Sequence, residues 1–68
     1  MLYETDYVVY EKYYDSVLQD SQGKVILFAD ISEAKRDCIG NEVVISCTKL
    51  PIHWQEKILK DLTKTNKK

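Results

Sequence analysis

Apolar positions change their period along the 68-residue chain, and each change marks an element. Tyr3, Tyr7, Tyr10, Tyr14 and Val17 fall at 4-3-4-3 spacing, which taken alone is a helical stripe. Tyr and Val favour strands, however, and the turn that follows wants a strand before it. The stretch is therefore read as a long strand, bent near Glu11 to Asp15. Strand alternation places Val8, Tyr10, Tyr14 and Leu18 on one face and Tyr3, Tyr7, Val9 and Tyr13 on the other. Tyr10 and Tyr14 are then the core candidates. In VLQDSQGKVILF, Asp20 can start a type I turn and Gly23 can close it in the left-handed region. This predicts a β-hairpin in which Asp20 faces Lys24, Leu18 faces Ile26 and Val17 faces Leu27. Its second arm, KVILFADI, is apolar on both faces and reads as a central strand.

In ISEAKRDCIGNEVVISCT, Ser32 suits an N-cap and Gly40 a C′ position, which predicts a short helix over 33–38. A second hairpin turning at Gly40-Asn41 competes, but Glu33 to Asp37 makes a poor strand. EVVISCT reads as a strand with Val43, Ile45 and Cys47 on one face. In PIHWQEKILKDLTK, Pro51 suits the first helical position. Ile52, Ile58, Leu59 and Leu62 cover an arc of about 120°, a core-facing stripe with Trp54 at its edge. His53, Lys57, Lys60 and Lys64 gather on the opposite side. The expected fold is α+β. A small antiparallel sheet of about three strands, opening with an N-terminal hairpin, is joined by a short middle helix and a C-terminal amphipathic helix on one face. Residues 1–65 form the single domain and 66–68 a basic disordered tail.

Composition narrows the class. Apolar content of 44% and charged content of 31% are globular values. The net charge is −1, yet residues 1–34 carry seven acids and two lysines (−5), and residues 35–68 eight bases and four acids (+4). Such a bipolar chain can complement itself across a dimer or steer a charged partner. A strand apolar on both faces needs two covers, and one terminal helix supplies only one; a homodimer is expected to supply the other. Two cysteines cannot build a disulfide framework, and no run reaches membrane-spanning length. A cytoplasmic protein with reduced thiols and no membrane contact is expected.

The residues give little support for catalysis. Cys38, Cys47 and His53 match no zinc spacing and lack a fourth ligand. Nothing marks either thiol as an activated nucleophile, and Asp30 with Glu33 is one acid pair among eleven acids. Gly23 and Gly40 are the only glycines, so no phosphate loop can form. No enzyme activity, cofactor or metal is expected. Nucleic acid is the stronger alternative: His53, Lys57, Lys60 and Lys64 make a phosphate-attractive stripe, and tyrosines can stack bases.

Two stretches resemble known families. KLPIHWQEKILKDL resembles the C-terminal helix of single-strand-binding transcriptional coactivators, in which the last strand runs into a helix bearing a tryptophan. The basic strand residues of that family are absent here. VLQDSQGKVILF, followed by a short helix and a strand, is similar in order to small phage inhibitors of uracil-DNA glycosylase, which are acidic DNA mimics. The favoured expectation is a non-enzymatic binding protein acting on a protein partner through an acidic, tyrosine-rich surface made of Tyr3, Glu4, Asp6, Tyr7, Glu11 and Tyr13. An inhibitor of the phage or mobile-element kind has this character. A single-stranded nucleic-acid binder using the lysine helix is the second expectation, and a homodimeric accessory protein the third.

Overall fold

The computed structural model describes the backbone of residues 2–66 and side chains through Leu62. Its sheet has the order β2-β1-β3, all antiparallel. Strand β1 (Tyr7–Glu11) is central, β2 is Ser16–Val17 and β3 is Val43–Ser46. Helix α1 (Ile31–Arg36) and helix α2 (Ile52–Asn66) complete the fold, with a 3-10 turn over Cys47–Lys49. The expected α+β class, its N-terminal hairpin, its middle helix and its C-terminal helix are all present.

The central strand is not the one its apolar pattern promised. YVVYE takes that place because two β-branched residues bury on opposite faces: Val8 and Val9 are both almost wholly inaccessible. On one face Val8 and Val17 join Cys47, Leu50 and Ile58 in the main core, with Tyr10, Val25, Leu27, Ile45 and Trp54 packed against them. On the other face, α1 lies against β1 and β3 and buries Ala34.

Segment 24–31 makes only isolated bridges, Gln19↔Val25 and Tyr7↔Phe28. The hairpin turn itself forms in the expected register. The amide of Asp20 donates to Lys24 O at 2.9 Å and that of Ile26 to Leu18 O at 3.1 Å. The Asp20 carboxylate accepts from the amides of Gln22 and Lys24, and Gly23 sits at φ +82°. Beyond Ile26 the ladder stops. Phe28 instead occupies the edge of β1 that β2 leaves open, exchanging bonds of 2.7 and 2.8 Å with Tyr7.

The first arm also breaks where it was expected to bend. Lys12 to Asp15 form a turn, closed by Asp15 N donating to Lys12 O at 3.2 Å. Asp15 takes φ +53°, a region that short polar side chains tolerate best. The turn carries Tyr14 out of the strand, so this expected core residue is 74% exposed. Helix α1 starts two residues earlier than predicted. Asp30, not Ser32, is the cap, accepting from Ser32 N at 3.0 Å and Ser32 Oγ at 2.8 Å. Gly40 lies in the turn before β3 at φ +65°, and Asp37 closes the helix. Pro51 lies just before α2, its carbonyl accepting from Trp54 N and Gln55 N. Along α2 the predicted stripe holds at Ile58, which is 1% exposed, and fails at Ile52, which is 65% exposed. Lys67 and Lys68, in the expected tail, lie outside the described residues.

Candidate functional site

The side-chain chemistry of the molecule converges on Asp15. Its Oδ1 accepts from Tyr10 Oη at 2.7 Å and from Trp54 Nε1 at 3.1 Å, and its Oδ2 stands 2.8 Å from His53 Nε2. Trp54 Nε1 also lies 3.2 Å from the Asp15 carbonyl. One carboxylate therefore ties the β1–β2 turn to the first turn of α2. The hydrogen bond from Tyr10, followed by those from Trp54 and the charge of His53, holds the Asp15 carboxyl below its ordinary range. The same bond, reinforced by desolvation, raises the Tyr10 phenol. Both carboxylate oxygens are occupied by donors, so the cluster orients neighbouring groups.

What it orients is an aromatic tip. Tyr13 and Tyr14 stand edge to face, with centroids 4.8 Å apart at 83°. They are 82% and 74% exposed. Glu11 Oε1 accepts from Tyr14 N at 2.9 Å, bracing the turn from its other side. Glu11, Lys12, Tyr13 and Asn41 line a shallow groove beside the pair. The left-handed Asp15 backbone and its bonded carboxylate close the turn that carries both tyrosines.

The six residues expected to form one acidic aromatic surface are split between the two ends of β1. Glu11 and Tyr13 lie at the tip. Tyr3, Glu4, Asp6 and Tyr7 lie at the opposite end, where Tyr3 O accepts from Asp6 N at 3.1 Å and from Cys47 Sγ at 3.3 Å. Tyr3 is exposed, whereas Tyr7 is half-buried in a groove with Glu4, Ile31, Val44, Ser46 and Lys49. Of the alternative cationic set, His53 meets Asp15 and Lys57 meets Asp61 at 3.3 Å. Asp61 Oδ2 also accepts from Val25 N at 3.3 Å, so Lys57 serves a contact between α2 and the second hairpin. Lys60 is exposed, and the side chain of Lys64 lies outside the described residues.

The sequence reading missed Asp15 as an organiser and Tyr14 as a surface residue. The available signal was Tyr13-Tyr14-Asp15 directly after a strand, with the single histidine and single tryptophan adjacent at the start of a helix. Cys38 is half-buried and Cys47 buried, and both are unpaired. Burial raises each thiol, with further contributions from Glu42 and Asp37 at Cys38 and from Asp6 at Cys47. Among the described residues, no three His, Cys, Asp or Glu side chains are grouped to hold a metal ion, and no helix is long and apolar enough to cross a membrane. Comparison with protein families, curated proteins and solved structures returns no match.

Proposed function

We propose that this protein is a small binding protein, without catalytic activity of its own, that engages a protein partner through the Tyr13–Tyr14 tip. The exposure of two adjacent aromatic rings in edge-to-face contact on a hydrogen-bonded turn carries this reading. Tyrosine offers large contact area with few rotatable bonds and keeps a hydroxyl for polar pairing, so rigid exposed tyrosines suit interface centres. Glu11 at the base of the turn favours a partner surface bearing Lys or Arg. An inhibitor that occupies a basic, nucleic-acid-binding surface is the most specific form of this reading. A cytoplasmic setting accords with the two unpaired thiols.

The test is affinity capture from source cells with wild type and with Tyr13→Ser/Tyr14→Ser, each first shown to melt at a similar temperature. The reading expects proteins enriched on wild type and lost on the variant. Identical capture by both overturns it. So does oligonucleotide binding that falls steeply with salt, survives the variant and is lost in Lys60→Glu, which would give function to the lysine face of α2 instead.

A further inference from the structure

We infer that two copies of this chain join through the outer edge of β3, forming one continuous antiparallel sheet across a two-fold axis. The hydrogen-bond parity of β1 identifies the free groups. Tyr7 exchanges main-chain bonds with Phe28, and Val9 O accepts from Leu18 N at 2.9 Å, so odd-numbered residues of β1 serve its β2 side. Asp6 O accepts from Cys47 N at 2.8 Å, and Val8 and Tyr10 stand opposite Ile45 and Val43. Antiparallel pairing then turns the main-chain groups of Val43 and Ile45 toward β1 and those of Val44 and Ser46 outward. The Ser46 carbonyl caps the 3-10 turn over Cys47–Lys49, which leaves the outward N–H of Ser46 and the outward groups of Val44 on the open edge.

The two sides of the sheet are treated differently. On the β2 side the second hairpin arm closes the edge through Gln19↔Val25 and the Ile26–Leu18 bond. The β3 edge, VVIS, has none of the devices that discourage pairing: no proline and no charge within the strand. Charge flanks it instead, with Glu42 before the strand and Lys49 after it.

That layout selects the occupant. When β3 pairs with itself so that Val44 faces Ser46 of the other copy, the Ser46 N–H of each copy can donate to Val44 O of the other, twice across the axis. The Glu42 end of each strand then lies beside the Cys47–Lys49 turn of the other copy, which carries Lys49. The parallel arrangement would set like charges side by side. Paired residues share a face, so the two α1 helices come to one side of the joined sheet. Ile31, exposed in the groove with Val44 and Ser46, flanks the seam in each copy. The contact is isologous, as a closed dimer requires.

Ser46→Pro tests this cleanly. Ser46 has φ −65° and ψ 143°, which proline adopts without strain, and its amide is one of the outward donors. Equilibrium sedimentation should show wild type as a dimer at about 100 μM and Ser46→Pro as a folded monomer. Should Ser46→Pro fail to fold, charge decides. Lys49→Glu should weaken the dimer about fivefold, and adding Glu42→Lys should restore it. Wild type that stays monomeric at about 1 mM overturns the inference. So does a folded Ser46→Pro that remains dimeric, or a Lys49→Glu dimer unchanged in strength. Tyr13→Ser/Tyr14→Ser should leave the dimer intact, so failure here and failure of the tip reading are separable.

Discussion

Ile52 and Ile58 occupy the same predicted stripe of the same helix, yet the structure leaves 65% of one exposed and 1% of the other. Truncating each to alanine therefore tests how α2 is seated. At Ile58 the side chain is enclosed by the Val8, Val17, Cys47 and Leu50 cluster. Truncating such an isoleucine removes its transfer free energy and leaves a cavity, about 2–5 kcal/mol together. At Ile52 roughly a third of the side chain leaves water, worth about 0.5–1 kcal/mol of the 1.5–3 for full burial. The higher helix propensity of alanine offsets about 0.4 kcal/mol of that. A 68-residue domain has a total stability of about 3–10 kcal/mol. Each kilocalorie moves the midpoint of a domain this size by about 4–8 °C. Ile58→Ala should thus lower the melting temperature by about 8–40 °C, the upper end meaning a chain that no longer folds, and Ile52→Ala by about 5 °C at most. Circular dichroism at 222 nm during heating reads both, with urea titration as an independent measure. Equal losses at the two sites would refute the seating of α2 described above and return the helix to its simple periodic stripe.

Two further outcomes follow from the acids and thiols. Asp15, Asp20 and Asp30 have carboxyls below their ordinary value of 3.8, held there first by the Tyr10 hydroxyl, the Lys24 amide and the Ser32 hydroxyl respectively. A lowered folded value means stability that is present above the ordinary value and lost as pH falls through the folded one. Melting temperature should hold near neutrality and decline below about pH 4, with Asp15→Asn, Asp20→Asn and Asp30→Asn each flattening part of the slope; a curve that rises on acidification would contradict the assignment. Ellman's reagent at pH 8 should modify Cys38 slowly and Cys47 only as fast as the protein unfolds, since burial raises both thiols and Cys47 is inaccessible. Cys47→Ala should cost about 1 kcal/mol in urea titration and Cys38→Ala less, while prompt labelling of both thiols would count against the buried position of Cys47.

Local chemistry alone determined much of this fold. Asp20 and Gly23 dictate a turn through one carboxylate and one left-handed glycine, and the register around them follows without long-range help. Helix α2 is legible because period and charge agree over several turns. An aromatic, acidic N-terminus was also visible as a candidate surface.

Tertiary structure decided where competition between similar segments had to be settled. KVILF read as the strand buried on two faces and YVVYE as a strand with one exposed face, and only the placement of α1 and α2 over β1 made the latter central. Tyr10 and Tyr14 looked equivalent by alternation. The Lys12–Asp15 turn separated them, sending one ring against the core and the other into water. Nothing local to Asp15 announces a carboxylate shared by Tyr10, His53 and Trp54, because two of its partners lie more than thirty residues away. Contacts at that separation depend on how the helix docks, and docking is set by the summed burial of Ile58, Val8 and Val17, not by any one residue. The open edge of β3 has the same origin: a strand is legible from its residues, but its lack of a neighbour belongs to the assembled sheet.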